Sequence, residues 1–90
     1  MTEPATVLVV EDERNLADLF GTWLEGEYDV RVSYTGEDAL EEFDDGVDVV
    51  LLDRRMPDIS GDEILKEINQ SVHECQVAMV TGVDPDFDIV

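Results

Sequence analysis

Ninety residues allow one domain with one small core, because a chain of this length buries only about 60% of its unfolded surface. Apolar residues make up 43% of the chain, enough for that core, while 24 acids against five bases leave a formal charge of −19, with Lys66 the only lysine. Such a surface repels the nucleic-acid backbone and anionic lipid, and no run approaches the ~18 apolar residues of a membrane span, so neither direct nucleic-acid binding nor membrane insertion is expected.

Thr6–Val10 is a continuous β-branched run, the pattern of a strand covered on both faces. From Arg14 to about Glu25 the apolar residues Leu16, Leu19, Phe20, Trp23 and Leu24 recur at helical spacing, and Trp23 is expected in the core. Tyr28–Ser33 reads as a second strand, with Val30 and Val32 alternating against Asp29 and Arg31. Thr35 can cap a short helix that turns Ala39, Leu40 and Phe43 inward, with Glu37 and Asp38 in the favourable first turn; Asp44-Asp45-Gly46 ends it. Val47–Leu52 is the third strand, and Ser60 or Gly61 opens a helix with Ile64, Leu65 and Ile68 inward. Gln76–Val80 is a fourth strand, Thr81-Gly82 a turn, and Asp84-Pro85 the start of a further helix cut short at Val90.

These apolar periods separate the chain from disordered acidic sequences. Acidic, lysine-poor surfaces also typify proteins of salt-loving organisms, where screening offsets self-repulsion. Met1–Pro4 lacks the basic flank of a secretory signal, so a soluble, cytoplasmic protein is expected. Cys75 is the only cysteine, which excludes an internal disulfide; it reads as a small packed residue, and His73 as a surface one.

The order β-α-β-α-β-α-β demands crossover connections, hence a parallel sheet with helices on both faces: an α/β, doubly wound, flavodoxin-like fold. Functional groups of such sheets gather beyond the carboxyl ends of the strands. The first strand ends in Glu11-Asp12-Glu13, the third in Asp53 and the fourth in Thr81. With the first and third strands adjacent at the switch point, Glu11, Asp12 and Asp53 should converge. Like charges at close range raise each other's pKa unless a cation neutralises them, and hard oxygen donors in an open site suit Mg²⁺ or Mn²⁺. Asp53 is then a natural nucleophile toward a phosphoryl group, with Thr81 supplying a hydroxyl hydrogen bond.

The residues VLVVEDE (7–13), LLDRRMPDISG (51–61) and MVTG (79–82) resemble the receiver domain of response regulators, and the likeness runs from Thr6 to the end of the chain. The central segment carries the family's D-x-x-M-P-x-x-x-G pattern in Asp53, Met56, Pro57 and Gly61. The resemblance implies phosphotransfer to Asp53 from a sensor histidine kinase or phosphotransfer protein. It implies metal binding by the Asp12 and Asp53 side chains and the Arg55 backbone carbonyl, with Glu11 a nearby or water-mediated acid and Thr81 the switch hydroxyl. Arg55 and Val83 match positions that influence dephosphorylation, and the domain is expected to be a phosphoacceptor rather than an enzyme.

Residues 1–90 thus read as one receiver domain, incomplete at its C-terminal end. The family's lysine at the end of a fifth strand, and its fifth helix, find no match, and Lys66 lies mid-helix where it cannot substitute. With no fifth strand, the fourth would be an apolar edge through which a homodimer is expected to form. Two other functions compete. An aspartyl-nucleophile phosphatase would want an acid two residues past the nucleophile, where Arg55 stands. A receiver-like module that binds proteins without phosphorylation is disfavoured by the intact Glu11, Asp12, Asp53 and Thr81 set and favoured by the unmatched lysine.

Overall fold

A computed structural model describes residues 4–53, 59–70, 75–81 and 84–89, with backbone alone for 80–81 and 84–89. Its elements are β1 (Thr6–Val10), α1 (Arg14–Leu24), β2 (Asp29–Ser33), α2 (Gly36–Glu42), β3 (Val49–Asp53), α3 (Gly61–Asn69), β4 (Gln76–Thr81) and β5 (Asp84–Ile89). The strands form one sheet in the order β2-β1-β3-β4-β5. β1, β2, β3 and β4 pair in parallel, which is the doubly wound arrangement that the sequence predicts.

Residue alternation divides the sheet into two faces. Leu8, Val10, Val50, Leu52, Val77 and Met79 pack with Ala39 of α2 and with Ile64 and Ile68 of α3. The opposite face meets α1, which packs tightly at Gly21: a Cβ there would lie 3.4 Å from Val32 Cγ2. Both short helices on the first face begin as their sequences dictate. Thr35 Oγ1 accepts from the Asp38 N–H at 3.0 Å, and Ser60 Oγ from the Glu63 N–H at 3.2 Å. Thr35→Ala is expected to cost about 1 kcal/mol, read as a lower urea midpoint with an unchanged slope.

Three expectations need correction. Asp84–Ile89 is not a helix start but a strand antiparallel to β4, with Ala78 opposite Ile89 and Thr81 opposite Asp84. The edge of β4 is therefore covered, and the sheet edges are β2 and β5, so the homodimer expected through β4 loses its basis. β5 follows β4 directly, without the crossover that the family's parallel fifth strand requires; neither that strand nor a fifth helix is among the described elements. Finally, Trp23 is 67% exposed, because Ala17 and Gly21 are the buried contact residues of α1. Trp23 instead lies edge-on to Phe20, with ring centroids 6.0 Å apart.

Candidate functional site

The β1–β3 register sets Val10 beside Leu52, so the next residues, Glu11 and Asp53, leave adjacent strands side by side. Since Val10 and Leu52 point to the α2/α3 core, alternation turns Glu11 and Asp53 to the other face. There they line a cavity of about 10 Å³ with Val9, Val10, Phe20 and Leu51, room for about one water molecule. The Glu11 N–H donates to the Ser33 carbonyl at 3.0 Å, which ties the β1 exit to the end of β2. Asp12 follows on the exposed side, and Glu13 stands at the N-cap of α1 without a side-chain capping bond.

One carboxylate oxygen from each of Glu11, Asp12 and Asp53 lies within 4.8 Å of the others. Glu11 and Asp53 are buried, at 6% and 7% exposure, whereas Asp12 is open to solvent. Burial pushes the Glu11 carboxyl up to about 8, helped by a hydrogen bond to Asp53 and by the charges of Asp53, Asp12 and Glu13. Asp12, although exposed, is raised too, first by the partial desolvation its neighbours impose and then by its hydrogen bond to Asp53. Glu11 Oε2 is buried without a hydrogen-bond partner among the described residues. A buried, unpartnered carboxylate oxygen beside two further carboxylates is a donor set suited to a hard divalent cation.

The sequence-predicted residues are thus brought together where they are described. Glu11, Asp12 and Asp53 converge at the carboxyl ends of β1 and β3. Thr81 ends β4 one position past Val80, the register partner of Asp53, which places its backbone at the same end of the sheet. Arg55, Gly82 and Val83, and the Met56-Pro57 pair, lie outside the described residues. Sequence reading missed one contact between the start of α1 and the residue that follows β2. The Arg14 guanidinium lies 4.3 Å from the centroid of the Tyr34 ring, whose hydroxyl donates to Asp18 Oδ1 at 2.6 Å. Among the described residues no helix is long and apolar enough to cross a membrane.

Comparison with known proteins agrees with this geometry. A putative transcriptional regulator of the halophile Haloferax volcanii is 55% identical over 85 residues, covering 93% of this chain and 15% of that protein. The transcriptional regulatory protein CpxR of Escherichia coli K12 is 39% identical over 85 residues, covering 93% of this chain and 36% of its own length. The chain therefore spans well under half of these relatives. Among solved structures, the response regulator TrrA of Thermotoga maritima, in complex with Mg²⁺-BeF, superposes with a TM-score of 0.78 at 37% identity. It covers 86% of this chain and 69% of that one. The family model of the response regulator receiver domain matches residues 7–90. With its parallel sheet and its carboxylates gathered at the switch point, the chain belongs to the response regulator receiver domains of two-component systems.

Proposed function

We propose that Asp53 accepts a phosphoryl group from the phosphohistidine of a sensor histidine kinase or phosphotransfer protein, in a reaction supported by Mg²⁺ or Mn²⁺. The observation that carries this reading is the convergence of Glu11, Asp12 and Asp53 oxygens within 4.8 Å, at the end of the sheet where β3 delivers Asp53. An Asp53 carboxylate oxygen attacks phosphorus as the P–N bond to the imidazole breaks. The electron pair leaves with that nitrogen; the proton carried by the other ring nitrogen of the phosphohistidine makes the leaving group neutral imidazole, and Asp53 becomes an acyl phosphate.

The Asp12 and Asp53 side chains and the Arg55 carbonyl would hold the divalent ion, with Glu11 bound directly or through water. When bound, the ion supplies positive charge that offsets the phosphoryl oxygens as they approach an acidic site. Glu11, buried and protonated near neutral pH without that charge, is the carboxyl whose ionisation the ion favours. Thr81, at the end of β4, is the residue to which we assign the switch hydroxyl that meets the phosphoryl group. The protein is a phosphoacceptor that assists its own phosphorylation and dephosphorylation, cytoplasmic in location, and the output passes to another domain or partner.

The test is incubation with acetyl phosphate and Mg²⁺ in molar KCl, followed by intact mass, for the wild type and Asp53→Asn. One phosphoryl mass is expected on the wild type alone. An unlabelled wild type, or label persisting in the Asn variant, would remove Asp53 from the acceptor role.

A further inference from the structure

Three basic residues lie among the described positions, and two of them, Arg31 and Lys66, belong to other parts of the fold. Arg31 Nη1 pairs with Asp44 Oδ2 at 3.0 Å and donates to the Glu42 carbonyl at 2.9 Å, closing the end of α2. Lys66 belongs to α3, where it borders a hollow with Glu63 and Glu67. Arg14 forms no ion pair among the described residues, although it follows Asp12 by only two positions in a strongly acidic segment. It is also the first residue of α1, where the helix dipole favours an anion. A cation there conflicts with local helix chemistry, and such conflicts concentrate at functional positions.

The side chain is nonetheless held. Its guanidinium lies over the Tyr34 ring at 4.3 Å, and Tyr34 is itself anchored through its 2.6 Å hydrogen bond to Asp18. Tyr34 directly follows Ser33, the last residue of β2. The guanidinium therefore stands on the β2 side of the β1 carboxylates, across the sheet from β4 and Thr81. A cation–π contact uses one face of the guanidinium and leaves its N–H groups at the edge able to meet phosphoryl oxygens.

We propose that Arg14 is a donor-positioning residue that draws the anionic phosphoryl group toward Asp53 from the β2 side. This rests on the phosphoacceptor reading of Asp53. An anionic donor approaching three carboxylates meets a repulsive field, and one fixed cation at the rim lowers it. The effect acts on encounter and is therefore sensitive to ionic strength.

The experiment is the second-order rate of labelling by acetyl phosphate with saturating Mg²⁺. It compares wild type, Arg14→Ala, Arg14→Lys and Tyr34→Leu at the lowest salt at which all four keep their native circular dichroism, and again in molar KCl. At low salt Arg14→Ala is expected to be slower by about threefold to tenfold, with the difference closing in molar KCl. Arg14→Lys should recover most of the rate, and Tyr34→Leu should fall between it and Arg14→Ala, because the cation remains but its platform is gone. Equal rates for Arg14→Ala and wild type at low salt would overturn the proposal. So would a deficit that persists in molar salt and is shared by Arg14→Lys, since that marks a structural role. A wild type that takes no label would instead sink the reading of Asp53 on which the proposal depends.

Discussion

Raising the pH from about 5 to about 9 without divalent ions is expected to lower the melting temperature by roughly 5–15 °C, and Mg²⁺ is expected to abolish most of that loss. The group responsible is Glu11, whose carboxyl is pushed from its ordinary 4.5 up to about 8 in the folded chain. Its native form therefore binds more protons than its unfolded form throughout the interval between those values. Stability then falls with rising pH: the contribution is complete below about 4.5 and is lost as the pH climbs through 8. Asp12, raised in the same sense, contributes with the same sign. A divalent ion reverses the logic, because it favours the ionised cluster that folding penalises in metal-free solution. Molar KCl is the proper solvent, since it screens the general repulsion of a chain of charge −19 more than it screens a buried pair. Glu11→Gln is the control. That variant should show a flatter profile and a higher metal-free melting temperature above pH 8. A wild-type profile that stays flat without metal would mean that Glu11 is ionised in the fold.

The parts of this architecture that could be read in advance are those with local signals. Thr35 and Ser60 stand before helical periods and accept from the third following residue, as capping chemistry requires. The β1 run has the bounds that its β-branched residues indicate. Convergence of Glu11, Asp12 and Asp53 was legible too, because strand ends and a switch point follow from element order alone. Two failures have physical causes. The apolar residues of α1 cover a wider arc than the sheet can bury, and the helix settles where its side chains are smallest, at Ala17 and Gly21. Leu19 and Trp23 are left on the flank, 42% and 67% exposed. In residues 84–89 the Asp84-Pro85 helix signal competes with a period-2 alternation of acid and apolar residues. Unpaired backbone groups along β4 favour the strand. The Arg14–Tyr34 contact joins the start of α1 to the end of β2, and no sequence spacing announces it.

Asp12→Asn is expected to move metal-free and metal-bound stability in opposite directions, which an acid present only for solvation would not do. Without metal, the change removes a charge that disfavours ionisation of Glu11, so the melting temperature near pH 8 should rise. Asp12 is exposed, so little packing is lost to obscure that gain. With Mg²⁺, one of the three converging carboxylates is gone, and affinity measured by calorimetry should fall by about tenfold to a hundredfold. Each tenfold loss of affinity removes about 1.4 kcal/mol of ligand-linked stabilisation at high ion concentration, so the rise in melting temperature on adding Mg²⁺ should shrink accordingly. Asp62→Asn, an exposed acid in the first turn of α3, provides the comparison. It changes the net charge equally but should leave the Mg²⁺ titration untouched. If Asp12→Asn and Asp62→Asn gave the same metal affinity, Asp12 would be an ordinary surface acid, and the divalent site would have to be sought without it.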